Sequence, residues 1–345
     1  MYDVIVIGAG PAGCTAAKTL SDKGYKVLLT ERFAMPRNKS CSGILIKKSI
    51  ELIKLCFGAD VPDSVKCEPF RSMGMILTDE KGREYRFEQE GLNILRSRFD
   101  HWLAQLAEKS GAEVRECASA VSCSESEGSV EVCIKGSVSS KYTERASYII
   151  DCEGVTGTLR RSLVNTPAKN NIHTFQTFYE GRVELDPHYF YAYLQPELSE
   201  YDAWFNVKDN LLVLGTAVRD PAGINFYFNS FISYMKDRHN LKIKNKVRTE
   251  KWIMPRISSG CAVNYGIGRV LFAGETAGFL NPMGEGISAA VESAFHAANA
   301  VSKHFNNPDL VINDYKSSSL NLRTYMQRQW AFTAELSGTF SEMKL

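Results

Sequence analysis

The chain begins YDVIVIGAGPAGCTAAKTLSDKGYKVLLTER, and this stretch constrains the fold more than any other. An apolar strand, Val4–Ile7, runs into Gly8-x-Gly10-x-x-Gly13, then a small-residue helix, then a second strand over Lys26–Thr30 that ends at Glu31. Each part has a mechanical job. Gly8 makes the tight turn, Gly10 lets backbone approach a pyrophosphate, and Gly13 lets helix and strand pack closely. The helix start, with Ala12, offers unpaired N–H groups and a positive dipole to phosphate oxygens. Glu31 stands 18 residues after Gly13, where an acid accepts hydrogen bonds from a ribose diol, and Arg32 follows it. A glycine-rich turn in an ordinary α/β unit leaves Glu31 without a purpose. The expectation is a dinucleotide carrying an ADP half.

Charge and cysteines bound the rest. The formal net charge is +2, which excludes bulk attraction to nucleic acid. No run of 18 apolar residues is present, so no transmembrane helix is expected. A strand starting at the second or third residue leaves no room for a signal peptide. The nine cysteines are scattered, without C-x-x-C or zinc spacing, so reduced thiols, a cytoplasmic location and no metal are expected. At 345 residues the chain has room for one to three domains.

Three later segments bring strand ends or helix starts toward one place. LRSRFDHWLAQLAEKSG (95–111) reads as a helix with Phe99, Leu103 and Leu106 on one face and Arg96 just before its start. YIIDCEGVTGTLRRSL (148–163) is a strand ending in an acid–Gly turn. RVLFAGETAGFLNPMGEGISAAVESAFHAA (269–298) is a strand, a Gly–acid pair and a small-residue helix. There is no second GxGxxG, so one dinucleotide is held tightly. The fingerprint alone leaves NAD and FAD open.

On these residues the sequence resembles the flavoprotein superfamily of p-hydroxybenzoate hydroxylase and geranylgeranyl reductase. That family combines an N-terminal GxGxxG, an Arg ahead of Phe-Asp, a mid-chain Asp-Gly and a late Gly-Asp. Here they are Gly8–Gly13, Arg96 before Phe99–Asp100, Glu153–Gly154 and Gly274–Glu275. The match spans about 1–165 and 255–305, and Glu153 and Glu275 replace the family's aspartates. The resemblance implies FAD, with Gly274–Glu275 on the ribityl chain. It also implies that NPMGEGI, carrying Pro282, Gly284, Gly286 and Ile287, aims a helix start at the pyrimidine end of the ring. A helix N-terminus favours the anionic reduced flavin by about 0.3–2 kcal/mol. PRNKSCSGIL (36–45) resembles the basic Cys loop of the reductase branch through Lys39, Cys41, Ser42 and Gly43. Cys41, beside Arg37 and Lys39, is read either as a stabilised thiolate or as a thiol that packs by the ring.

The resemblance implies an α/β fold: a Rossmann-like FAD domain (1–70, 95–165, 255–305), an antiparallel substrate sheet (71–94, 166–254) and C-terminal helices (306–345). Residues 173–234 hold 15 aromatics in 62 positions, about twice the chain's 11%. Alternation along those strands is expected to line an apolar pocket with Phe178, Tyr191, Tyr193, Trp204 and Phe205. The reductases' P-x-x-Y-x-W-x-F-P signature keeps its order in Pro196, Tyr201, Trp204 and Phe205, with altered spacing and no final proline. The halogenase motif W-x-W-x-I-P is absent. The C-terminal helices are expected to pack over the flavin domain or cap the substrate channel. Lys316, Arg323 and Arg328 offer a peripheral membrane contact as a further expectation.

The function expected from the resemblance is hydride transfer from reduced flavin N5 to a C=C bond of a hydrophobic, prenyl-like substrate, with Tyr201 and Cys41 as candidate catalytic groups. The electron donor is external, NAD(P)H or a ferredoxin-like carrier. Two alternatives stand beside it. One is an FAD monooxygenase that activates O2 at flavin C4a and hydroxylates an aromatic or polyketide-like substrate. The other is a flavin-binding protein without turnover.

Overall fold

A computed structural model of the chain describes residues 1–126, 128–137, 140–164, 171–255, 263–280 and 285–336. Its strands run, in chain order, β1 (Tyr2–Ile7), β2 (Val27–Thr30), β3 (Ile44–Ile46), β4 (Lys66–Thr78), β5 (Glu84–Ile94), β6 (Glu113–Arg115), β7 (Ser119–Ser126) and β8 (Ser129–Lys135). There follow β9 (Lys141–Asp151), β10 (Asn171–Arg182), β11 (Tyr189–Tyr193), β12 (Ala203–Lys208), β13 (Leu211–Val218), β14 (Lys242–Pro255), β15 (Gly266–Ile267) and β16 (Val270–Phe272). The α-helices are α1 (Pro11–Ser21), α2 (Lys47–Phe57), α3 (Arg96–Lys109), α4 (Thr158–Val164), α5 (Ile224–His239), α6 (Ile287–Lys303), α7 (Pro308–Ser318) and α8 (Leu320–Leu336). Arg96 is therefore the first residue of its helix rather than the one before it.

The first sheet has the order β15-β16-β9-β1-β2-β6, with the β7–β8 hairpin joined through β9. β1 pairs in parallel with both β2 and β9, and β9 with β16. Helices cover such a sheet on both faces, so its strands are apolar throughout instead of alternating. The VLLT of β2 is buried at all four positions. In open sheets of this parallel kind, ligands bind beyond the carboxyl ends of the strands. β1, β2, β9 and β16 all end within a few residues of the candidate motifs.

The second sheet has the order β14-β10-β13-β12-β11-β4-β5-β3. It is antiparallel except between β4 and β11. It takes in β3 and begins β4 at Lys66, so residues 44–46 and 66–70, expected in the first unit, belong here. One face carries Tyr189, Tyr191, Tyr193, Phe205 and Leu214, closed by Phe228, Phe231 and Met235 of α5. The other carries Leu77, Trp204, Ala217 and Leu194, and meets Leu280 from the first unit. The Lys-rich β14 is an edge strand, where charge deters edge-to-edge pairing.

Candidate cofactor and substrate site

The turn between β1 and α1 is built by contacts that admit no side chain. Gly8 has φ +96°, and an added Cβ would stand 2.7 Å from the carbonyl oxygen of Cys152. A Cβ on Gly13 would come 1.8 Å from the Gly8 carbonyl oxygen. Gly10 differs: its Cβ would meet only Arg37 Nη2, at 3.8 Å. The space in front of Gly10 is open, and α1 has no acidic residue in its first turn. Its first N–H groups lack intrahelical partners by position.

Behind this turn lies a buried charge network. Glu31 accepts from the Ala9 N–H (3.1 Å) and the Phe33 N–H (3.1 Å), and pairs with Arg37 Nε at 3.2 Å. Arg37 donates to Asp100 at 2.8 Å. Arg96 donates twice to the same carboxylate, Nε to Oδ1 and Nη2 to Oδ2, each at 2.8 Å. Asp100 is fully buried. Burial alone would raise its carboxyl, but Arg96 and Arg37 outweigh burial and hold it below the usual range. The β2 end and the start of α3 are thus tied through one carboxylate.

The two glutamates in the acid–glycine motifs do different work. Glu153 Oε2 accepts from the N–H of Thr158 (2.7 Å) and of Leu159 (3.1 Å), capping α4 from the loop before it. Glu153→Ala is expected to lower stability by about 1–2 kcal/mol, the usual loss of an N-terminal cap, read as a lower denaturant midpoint with unchanged slope. Glu275 Oε2 accepts from Lys39 Nζ at 3.2 Å, which joins the basic loop to the β16 end. Gly274 does not reach the cavity. It lies where α1 meets α6, and an added Cβ would stand 3.1 Å from Ala12 Cβ.

A continuous cavity of about 470 Å³ runs from the α1 turn into the second sheet. Gly8, Gly10, Ala12, Glu31 and Arg32 line one end. Lys39, Cys41, Ser42, Arg96, Glu153, Gly154, Glu275, Gly286 and Ile287 line the middle. Gly13 and Gly43 stay behind the wall. Gly43, at φ +64°, packs against the Ile94 carbonyl oxygen and Lys208 Nζ. Pro282 and Gly284 lie outside the described residues.

The far end is apolar: Met75, Phe87, Phe190, Trp204, Trp252 and Met254, with Tyr201 and Asp202. Of the five aromatics expected to line a substrate pocket, only Trp204 borders this cavity. Tyr191, Tyr193 and Phe205 face α5, with Tyr193 5.3 Å from Phe231 between ring centroids. Phe178 lies under the Arg248 guanidinium, 3.5 Å from its ring centre. The reason is strand parity. Tyr191 pairs with Phe205 and Ala192 with Trp204, so Phe205 and Trp204 leave the sheet on opposite faces. The Trp204 indole lies over Gly215, where a Cβ would come within 2.1 Å of it. The C-terminal helix α8 contributes to the wall. Tyr325, Gln329 and Phe332 line the cavity, and Phe332 meets Phe87 edge-on at 6.1 Å.

Sequence reasoning missed several groups here. Arg37 was read only as a neighbour of Cys41, although basic residues after a βαβ acid are a usable signal. Asp202 and Lys208 carry no motif. Lys208 is buried, donates to Asn93 Oδ1 and to the Ile94 carbonyl at 2.7 Å each, and burial pushes its ammonium down to about 8. It supports the Cys41–Gly43 loop from beneath. Cys41 Sγ accepts from the Gly43 N–H at 3.4 Å.

A family model described as FAD binding domain matches residues 1–194. The chain belongs to this FAD-binding family. FAD is the cofactor, and the residues fit it. The space before Gly10 is one a side chain would fill, the α1 start is free of anions, and the cavity continues past Lys39 and Glu275 to the α6 start. The chain is 31% identical over 210 residues to the digeranylgeranylglycerophospholipid reductase of Methanosarcina acetivorans, covering 58% of this chain and 49% of that protein. It thus spans about half the length of that relative. Among solved structures it is similar to a geranylgeranyl bacteriochlorophyll reductase-like protein of Thermoplasma acidophilum, with TM-score 0.79, 19% identity, and coverage of 95% and 84% of the two chains. It is also similar to the myxobacterial chondrochloren halogenase, with TM-score 0.77, 17% identity, and coverage of 100% and 86%. At those identities the likeness is one of fold. Among the described residues no helix is long and apolar enough to cross a membrane, and no group of three or more metal-ligating side chains is present.

Proposed function

We propose that this chain is an FAD-dependent reductase of C=C bonds in a long, hydrophobic, prenyl-type substrate. The observation that carries the reading is the continuity of the cavity. One space begins at the α1 turn, passes the Cys41 loop and ends among Met75, Phe190, Trp204, Trp252 and Met254. An apolar chain entering the far end would lie directly against the cofactor without crossing polar protein. The similarity to the Methanosarcina digeranylgeranylglycerophospholipid reductase supports the same substrate class.

Bound FAD supplies the hydride chemistry. The chain supplies position and field. Gly10 and the α1 start would receive the diphosphate, Glu31 the adenosine ribose, and Glu275 the ribityl hydroxyls. The α6 start, with Gly286 and Ile287, would border the ring. Lys39 holds Glu275, and Lys208 with Asn206 holds the Cys41–Gly43 loop, Asn206 Nδ2 donating to the Ser42 carbonyl at 2.9 Å. Phe332 and Tyr325 contribute to the cavity wall. Electrons come from an external carrier, NAD(P)H or a ferredoxin-like protein.

The test is product mass. The reduced holoprotein is mixed without oxygen with a geranylgeranyl-bearing lipid. The expected product gains two hydrogens per reduced double bond as the yellow colour returns. Unchanged lipid, together with oxygen incorporation into an aromatic compound in air, would replace this reading with the monooxygenase.

A further inference from the structure

Five carboxylates line the cavity among the described residues: Glu31, Glu153, Asp202, Glu275 and Glu285. Four are committed. Glu31 binds two backbone N–H groups and Arg37, Glu153 caps α4, and Glu275 pairs with Lys39. Glu285 accepts from the Ser288 N–H at 2.9 Å and from its hydroxyl at 2.8 Å, at the start of α6. The Asp202 carboxyl accepts from no described residue. Only its backbone carbonyl is used, by Ser199 Oγ (2.8 Å) and the Ala217 N–H (3.0 Å). It opens into the apolar end of the cavity beside Trp204 and Tyr201. The side chain is half-buried, and it lines this cavity.

We propose that Asp202 stands in the cavity as a neutral carboxylic acid and gives the proton that completes C=C reduction. This rests on the reductase reading and names a group within it. Reduced flavin, the hydride source, forms the C–H bond at one alkene carbon. The π pair takes the Asp202 proton at the other carbon. The alkene gains two electrons, the flavin loses two, and the carboxylate left behind recovers a proton from water.

Electrostatics favours the acid form. Burial pushes the carboxyl up to about 7, and no cation or anion on β12, β13 or the preceding loop adds to or offsets that shift. The neighbouring Tyr201 phenol is itself raised well above its usual value, first by burial and then by Asp202. Tyr201 is therefore a far weaker acid than its neighbour. An acid titrating near the working pH is the efficient donor.

Asp202→Asn keeps shape and backbone bonds, so the variant is expected to fold and to hold FAD. Two measurements on holoprotein decide. First, infrared difference spectra between pH 6 and pH 8.5 should contain the carbonyl stretch of a protonated carboxyl at the lower pH, missing from Asp202→Asn. This needs no substrate. Second, anaerobic single turnover of the geranylgeranyl lipid should slow by about 10²- to 10⁴-fold in Asp202→Asn. The wild-type rate should fall as pH rises through the titration, and Asp202→Glu should recover part of it. Wild-type turnover in Asp202→Asn, or no protonated carboxyl at pH 6, overturns the assignment alone. An unaltered protein that leaves the lipid unreduced overturns the reductase reading and this one together, whatever the infrared spectrum.

Discussion

The Gly10→Val protein is expected to purify folded and colourless. Gly10 has φ −84° and ψ −175°, an extended conformation that a β-branched residue adopts readily. Its Cβ would find no protein atom closer than 3.8 Å, so the free protein should accept valine with a stability change within about 1 kcal/mol. The two methyls would occupy the opening in front of the α1 N–H groups, where a diphosphate must come to receive them. FAD affinity should fall by at least about 100-fold, close to 3 kcal/mol. Circular dichroism checks the fold, and flavin absorbance after reconstitution checks binding. Gly13→Ala makes the contrast. Its Cβ would collide with the Gly8 carbonyl at 1.8 Å, so that variant should lose the fold and not the ligand alone. A folded Gly10→Val protein that stays yellow would remove the first turn of α1 from the cofactor site.

Asp100→Asn should be among the most destabilising single changes in the chain. It leaves the buried guanidinium groups of Arg96 and Arg37 without their shared carboxylate, and breaking a buried pair on one side costs about 3–5 kcal/mol. The denaturant midpoint of the apoprotein reads this directly. The pH dependence follows from the sign of the shift. The folded carboxyl titrates below its unfolded value, so its stabilisation is complete above the unfolded value and is lost as pH falls through the folded one. The gap between wild type and Asp100→Asn should therefore be widest near neutrality and narrow only in strong acid. A gap independent of acid would mean that Asp100 acts by packing and not by charge.

Much of the cofactor end was legible because its constraints are local. Gly8, Gly10, Gly13 and Glu31 sit at fixed offsets within a single βαβ unit, and each offset has one mechanical meaning. The substrate end was not. Aromatic density marked the second sheet, but face assignment depends on register against a neighbour. Tyr191 and Phe205 are paired across two strands, and α5, which arrives later in the chain, decides which face is buried by helix. A one-residue phase error sends every side chain to the wrong side. Asp202 was hidden for another reason. Its chemistry comes from what surrounds it, not from its spacing to any other residue. Asp100 stood in view as part of Phe99–Asp100, but its role emerges only when Arg37 returns to it from 63 positions earlier.

The parity of the second sheet separates two kinds of selection. Tyr191, Tyr193 and Phe205 meet α5, while their sequence neighbours Phe190 and Trp204 line the cavity, and Ala192, paired with Trp204, shares that face. Adjacent codons therefore answer to different demands: one set to holding the domain together, the other to what the chamber admits. Change at cavity positions can accumulate without loosening the helix-backed layer. A scaffold divided in this way can shift its substrate range by small steps while its foldedness stays nearly constant.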